Sequence, residues 1–156
     1  VTSNDLNFNH PVKELVWTKK NSKVAVAVGA GTAAAAVDSD SGTYQLKLNG
    51  HDRFAARDYR YFTRTQIWEH HTGVGGLKCN ATTASFGTGG AHDDSIGVYS
   101  FALKPEEHQP SGTCNFSRID NAQLVSATTN VADTIFAVNY NVLRIMSGMG
   151  GLAYSN

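Results

Sequence analysis

The 156-residue sequence has few cysteines, no long apolar segment and no recognisable leader. Cys79 and Cys114 are too few for a small secreted scaffold held by disulfides, so we expect two reduced thiols. The longest mostly apolar segment, Val24 to Val37, is too short and too rich in alanine and glycine to cross a bilayer. The first nine residues are polar and lack the apolar core of a signal peptide.

Charge of either sign is not in excess. Thirteen Lys and Arg side chains balance thirteen Asp and Glu side chains, and no basic cluster is longer than Lys19-Lys20. Because Lys and Arg carry most of the affinity for phosphate, direct binding to nucleic acid is not predicted. Apolar residues make up 41% of the chain, which excludes a disordered polypeptide and allows one domain with a core.

A metal centre is suggested by residue type but not by spacing. The candidate ligands are His70, His71, His92, Asp93 and Asp94. Adjacent histidines in a strand point to opposite faces, and the second group follows only after a glycine-rich loop. We therefore predict solvated loop histidines, no metal and no cofactor.

Other catalytic patterns are also incomplete. Gly29 to Thr32 lacks the glycine spacing and the Lys-Ser/Thr pair of a phosphate-binding loop. Glu106 and Glu107 are neighbours in a loop bounded by prolines, which is more typical of a solvated turn than of an acid/base pair. The sequence predicts a protein without catalytic residues.

Short alternating segments separated by turn residues dominate what is present. The predicted strand segments are Leu6–Trp17, Val24–Val28, Tyr44–Leu48, Thr63–Glu69, Val98–Leu103, Thr113–Ile119, Gln123–Ala127 and Thr134–Met146. Without a long amphipathic helix, this pattern predicts an antiparallel β-sandwich, with no choice between jelly-roll and immunoglobulin-like topology. Residues 19–42 and 73–94 are predicted surface loops, and the residues after Met146 a flexible tail with Leu152 and Tyr154 tucked in.

The segment from Arg53 to Phe62 is dense in arginine and aromatic residues. Such a segment can stack on nucleic-acid bases. We favour a short helical turn whose aromatic side chains close the end of the sandwich, with Asp52 and Asp58 pairing with the arginines, because the charges balance locally. Two sequons, at Asn80 and Asn115, are candidate glycosylation sites.

A resemblance extends over most of the chain. The strings YSFALKPEEHQPSGTCNFSRIDNA and NYNVLRIMSGMGGLAYSN, with LNFNHPVKELVW and LNGHDRF, closely resemble the major capsid protein of nucleocytoplasmic large DNA viruses. The similarity is best to the algal-virus (phycodnavirus) branch. Matched segments run from Leu6 to the last residue and are separated by variable loops.

The resemblance implies a jelly roll and a structural role in the virion. It implies that residues 1–156 are the C-terminal jelly-roll domain of a double jelly-roll protein, lacking its first strand or strands and the whole N-terminal jelly roll. It also implies homotrimers that form pseudo-hexagonal capsomers of an icosahedral shell, in contact with neighbouring capsomers and minor capsid proteins. Family members are made in the host cytoplasm and can be glycosylated.

Two alternatives belong to other functional classes. A carbohydrate-binding β-sandwich would use exposed aromatic side chains, for which Trp17, Tyr61 and Trp68 are the candidates. A cupin-type metal enzyme would use the histidines described above. Under the capsid hypothesis the important residues are structural: Phe101 and Phe116 as core anchors, and Arg118 with Asp120 as a partly buried pair.

Overall fold

The computed structural model describes residues 2–19, 42–73, 96–127 and 132–154. The predicted strand Val24–Val28 and most of the two predicted surface loops lie outside these residues. The strands, in chain order, are β1 (Thr2–Asp5), β2 (Pro11–Lys19), β3 (Thr43–Leu48), β4 (His51–Asp52), β5 (Arg57–Asp58), β6 (Ile96–Ser100), β7 (Cys114–Asn115), β8 (Ala122–Ser126), β9 (Ala132–Asn139), β10 (Leu143–Met146) and β11 (Met149–Leu152).

The first antiparallel sheet is built around β8, which lies between β1 and β3. Short strands β4 and β5 continue the sheet along the other edge of β3. Asn49 and Gly50 form the turn from β3 to β4, and both have positive φ, as the Asn-Gly pair predicts. Ala122, Leu124 and Ser126 alternate as the buried face of β8, which confirms the predicted alternation there.

The second antiparallel sheet is built around β2. Glu14 pairs with Ser100 of β6 and with Val138 of β9, so β6 and β9 lie on opposite edges, and β7 follows β6 along its edge. A β-bulge interrupts the pairing with β9 between Val12 and Glu14. The bulge adds one residue to β2, which brings Val12 to the same buried core as Leu15, three residues on. A strand that alternated without a bulge would place these two residues on opposite faces.

A helical segment replaces the strand predicted over Thr63–Glu69. A π-helical turn, Tyr61–Thr65, leads into the short helix α1, Gln66–His70. Phe62 and Gln66, one turn apart, are both buried, and Gln66 Oε1 accepts a hydrogen bond from the Ser100 backbone N–H at 3.2 Å. The strand prediction was wrong because β-branched residues raise strand propensity locally, whereas burial of one helical face decides the structure here.

Aromatic rings join the two sheets. Trp17 of β2 lies 5.2 Å from Tyr44 of β3 and 5.4 Å from Phe62, measured between ring centroids. The rings that continue this chain of contacts, in order, are Phe54, Tyr99, Phe101, Phe116 and Phe8. The predicted closure of the sandwich by the aromatic segment at Arg53–Phe62 agrees with these contacts.

The segment from residue 99 to 122 is folded differently from the prediction. The strand ends at Ser100 rather than at the predicted Leu103, and Leu103 is 74% exposed. The predicted strand Thr113–Ile119 is only the two-residue β7 followed by a 3₁₀ turn, Phe116–Arg118. Pro105 and Pro110 lack a backbone N–H and cannot donate to a ladder, and Gly112 has a positive φ, so the loop does not extend either strand.

The predicted core anchors lie in the core, but the predicted ion pair is not buried. Phe116 is 2% exposed and belongs to the hydrophobic core, and the partly buried Phe101 packs against that core. Arg118 and Asp120 are both exposed. The turn is held instead by Asn49, whose Oδ1 accepts the backbone N–H of Asp120 at 3.0 Å.

Candidate interaction surfaces

Of the two predicted glycosylation sites, the structure describes only Asn115. Asn80 lies outside the described residues. Asn115 is exposed, but its Oδ1 accepts the Ser117 backbone N–H at 3.1 Å and so caps the 3₁₀ turn. Ser117 Oγ in turn accepts the His10 backbone N–H at 2.9 Å. The Asn-Phe-Ser motif therefore has a local structural role, and glycosylation at either asparagine stays a prediction.

The histidines expected to be solvated include one that is tied into the fold. His71 is at the end of α1, with Nε2 2.8 Å from Glu14 Oε2 and Nδ1 3.1 Å from Glu106 Oε1. The ring thus bridges two carboxylates, one of them on β2 and largely buried. His70 lies within 3.1 Å of the Leu103 carbonyl oxygen, and His92 is outside the described residues. The interpretation of His71 as a solvated loop residue was wrong, because α1 turns it back onto the sheet.

Glu106, in the loop bounded by prolines, also contacts Thr72, the residue after His71. Its Oε1 accepts the Thr72 backbone N–H at 3.0 Å, and the Thr72 hydroxyl donates to the same carboxylate. The backbone N–H of Thr72 is the main reason why the pKa of Glu106 lies below its usual value, and the Thr72 hydroxyl and His71 act in the same direction. We name Glu14, His71, Thr72 and Glu106 the loop clamp, since they fasten residues 104–112 to β2.

The described residues were searched for a metal site, a reactive thiol and a membrane-spanning helix. Within the ranges given above, no three His, Cys, Asp or Glu side chains are grouped so as to hold a metal ion. Cys114 is half-buried, and burial raises the pKa of its thiol, which lowers its reactivity. None of the described helices is long and apolar enough to span a membrane.

Exposed arginine side chains lie over tyrosine rings at the start of the helical segment. The Arg57 guanidinium lies 4.5 Å from the Tyr61 ring centroid, and that of Arg60 lies 5.3 Å from the Tyr59 ring. Asp58, expected to pair with an arginine side chain, accepts the backbone N–H of Arg60 at 2.9 Å. The alternation of arginine and aromatic residues in this segment is thus explained by stacking of the guanidinium groups on rings of the same chain.

The exposed tryptophan and the buried one have different capacities for binding. Trp68 is 71% exposed on α1, whereas Trp17 is 1% exposed and lies in the core. Trp17 therefore cannot stack on a sugar, contrary to its place among the carbohydrate-binding candidates. Tyr61 already carries the Arg57 guanidinium on its ring. Of the three candidates named for carbohydrate binding, Trp68 alone is strongly exposed.

An exposed apolar hairpin near the C-terminal end of the described residues was missed by sequence reasoning. The predicted long strand ends at Asn139, and β10 and β11 form a separate hairpin, with Ser147 and Gly148 as its two-residue turn at positive φ. Leu152 and Tyr154 are exposed rather than tucked in. The signal was available, because Ser-Gly between two apolar segments is a hairpin pattern. The prediction of a flexible tail was wrong.

Comparison with known proteins identifies the family. The model of the family described as large eukaryotic DNA virus major capsid protein matches residues 1–151. The chain belongs to this family. Its sequence is 51% identical over 160 residues to the major capsid protein of Pyramimonas orientalis virus, covering 97% of this chain and 38% of that protein. Identity to the major capsid protein of Paramecium bursaria Chlorella virus 1 (PBCV-1) is 40% over 202 residues, covering 97% of this chain and 42% of that protein.

A solved capsid protein has the same fold. PBCV-1 VP54, fitted into a cryo-EM reconstruction of the virophage Sputnik, superposes with a TM-score of 0.72 at 37% identity, over 99% of this chain and 46% of that one. VP54 is a double jelly-roll protein, and the fold predicted for this capsid-family chain, an antiparallel jelly-roll sandwich, is confirmed. The chain spans less than half the length of the relatives named here. The family role is structural rather than enzymatic.

Proposed function

We propose that residues 1–156 are the C-terminal jelly roll of a double jelly-roll major capsid protein. Three such polypeptides form a homotrimeric capsomer. Two jelly rolls in each of three chains give six similar barrels and hence a nearly hexagonal outline, which tiles an icosahedral shell. Closed symmetry lets the same surfaces of each copy serve repeated contacts, so the protein works by packing.

The observation that carries this proposal is the end-to-end likeness to capsid proteins that are more than twice as long. The likeness covers 97% of this chain but 38% of the Pyramimonas orientalis virus protein. The described surface supports the same conclusion, because several large apolar side chains are exposed, among them Leu143, Ile145 and Met149, and such groups are typical of protein interfaces. No specific observation favours carbohydrate binding.

Further parts of the proposal follow from the capsid role. The partners are copies of the same capsomer and minor capsid proteins, with no direct contact to nucleic acid. The protein is synthesised in the host cytoplasm and is then incorporated into the virion. Asn80 and Asn115 are the asparagines where a glycan is proposed.

Native mass spectrometry of the full-length polypeptide that carries this chain tests the oligomeric state. We expect a particle of three chains, stable at low micromolar concentration. Negative-stain images of the same sample should show a six-cornered outline. A stable monomer or dimer would overturn the proposed capsomer.

A further inference from the structure

Residues 103–112 form a surface loop whose two ends are joined. The Leu103 N–H donates to the Ser111 carbonyl oxygen at 3.4 Å, and the Lys104 N–H donates to Ser111 Oγ at 2.9 Å. Pro105 is buried, whereas the five residues after it are exposed. This is the form of an Ω-loop, a compact surface loop with closely spaced ends, and it makes the loop a unit that can separate from the sheet as a whole.

His71 joins this loop to β2 through both of its ring nitrogens. Nε2 lies 2.8 Å from Glu14 Oε2 on β2, and Nδ1 lies 3.1 Å from Glu106 Oε1 in the loop. An ionised carboxylate only accepts hydrogen bonds, so a ring between two of them must donate from both nitrogens. The pKa of Glu106 is lowered mainly by the Thr72 backbone N–H, which keeps this carboxylate ionised. A ring that donates from both nitrogens is an imidazolium and carries a positive charge.

Glu14 makes this bridge important, because its side chain is only 10% exposed. Within the described ranges, His71 is the only basic side chain with a nitrogen within 4 Å of this carboxylate. Transfer of the proton from His71 Nε2 to Glu14 Oε2 would keep the contact, so the pair holds one proton in either form. Loss of this proton leaves no donor between the two groups. The buried carboxylate is then uncompensated, which is strongly unfavourable.

The other charged groups near the bridge have contacts of their own. On α1, His70 Nε2 lies 4.0 Å from Glu69 Oε2. In the loop, Lys104 Nζ lies 3.3 Å from Glu107 Oε1, and both side chains are more than half exposed. On β2, the Lys13 ammonium lies over an aromatic ring. In the described part of the chain, none of these basic groups is within 4 Å of either carboxylate of the bridge, so none of them replaces the histidine.

We propose that the loop clamp is a conformational device that opens when it loses the proton of His71. With the proton, the ring holds the Ω-loop and the end of α1 against β2. Without it, the lone pair of one ring nitrogen faces a carboxylate oxygen, so that contact becomes repulsive. Because the charged form makes the contacts, the clamp is closed at lower pH and opens as the pH rises. The contact lies within one chain and is independent of the proposed capsomer.

Exchange of the imidazole Cε1 hydrogen, followed by mass spectrometry, reads the protonation of single histidines in the full-length protein. The exchange rate is recorded from about pH 5 to pH 9, with peptide fragmentation that separates His71 from His70. We expect Glu14→Gln to move the His71 curve to lower pH by at least about one pH unit, because an opposite charge is lost at 2.8 Å. Glu107→Gln, in the same loop, is the matched control and should leave the curve in place. Equal curves for wild type and Glu14→Gln would overturn the proposal.

Amide hydrogen exchange of the same protein shows whether the loop opens. After correction for the intrinsic rate at each pH, residues 103–112 should exchange at least about fivefold faster at about pH 9 than at about pH 6. The amides of β8, in the other sheet, should show no such change, since the sandwich stays folded. In His71→Gln the loop should exchange fast at both pH values. A wild-type loop that exchanges alike at the two pH values would contradict the proposal.

A double variant distinguishes loss of the charge bridge from loss of packing. His71→Gln leaves Glu14 as a buried carboxylate without its partner, and adding Glu14→Gln removes that charge. The loop and the end of α1 should therefore be better protected from amide exchange in the double variant than in His71→Gln alone. If the double variant is equally or less protected, the histidine acts through packing and the proposal fails.

Discussion

Phe116→Ala tests whether the segment from residue 99 to 122 is held by the core. Phe116 is 2% exposed and meets Phe8 at 5.9 Å and Phe101 at 6.0 Å between ring centroids, edge to face in both cases. Removing the ring loses about 2–3 kcal/mol of apolar burial and leaves a cavity between two rings that cannot easily close. Together these terms place the cost at about 3–5 kcal/mol.

Hydrogen exchange measured by mass spectrometry on the full-length protein gives the local free energy of opening. A loss of 3–5 kcal/mol corresponds to a fall in protection of β2 and β8 amides of roughly 100-fold to several thousand-fold, provided they open in the same unit as Phe116. Leu103→Ala is the control, since Leu103 lies in the same segment but is 74% exposed, and it should change protection by less than about threefold. Equal effects of the two variants would refute the assignment of Phe116 as a core anchor.

Three further outcomes are expected. A Cβ on Gly97 would lie 2.5 Å from Trp17 Cε2, so Gly97→Ala should cost about 1–3 kcal/mol and shift Trp17 fluorescence to the red, while unchanged emission and stability would contradict the packing described. Because hydrogen bonds from Thr72 lower the pKa of Glu106, that carboxylate stabilises the loop clamp above the ordinary carboxyl pKa of about 4.3 and loses this effect as pH falls through its lowered pKa. Proteolysis of residues 104–112 should therefore be constant from about pH 7 to 5 and rise below about pH 4, whereas Glu106→Gln should make it fast throughout. Since burial raises the pKa of the Cys114 thiol, iodoacetamide should alkylate it at pH 8 at least about tenfold more slowly in the folded protein than in denaturant, and equal rates would show that the thiol is accessible.

The sequence predicted the class of fold but not the irregular features that shape it. Alternation in β8 and the Asn49-Gly50 turn were readable because each depends on residues adjacent in sequence. The bulge that brings Val12 and Leu15 to one core depends on pairing with β9, more than a hundred residues away in sequence. No local pattern encodes that register.

The candidate surfaces were harder to predict than the fold. His71 is tied to Glu14 and Glu106, which are 57 and 35 residues away, and only the return of α1 onto the sheet brings them together. Leu143–Met146 was predicted as the end of the strand that begins at Thr134, and the residues after Met146 as a flexible tail, although the Ser147-Gly148 turn was present in the sequence. The residue type alone does not show whether an apolar side chain is buried, so Leu152 and Tyr154 were predicted to be tucked in although both are exposed.

Quantitative mass spectrometry of purified virus particles tests the central claim most directly. If this chain is part of the major capsid protein, its peptides should belong to the most abundant protein of the particle. That protein should also yield peptides from a further jelly roll on the same polypeptide. Peptides of this chain that were absent from the particle, or present only as a minor component, would contradict the account.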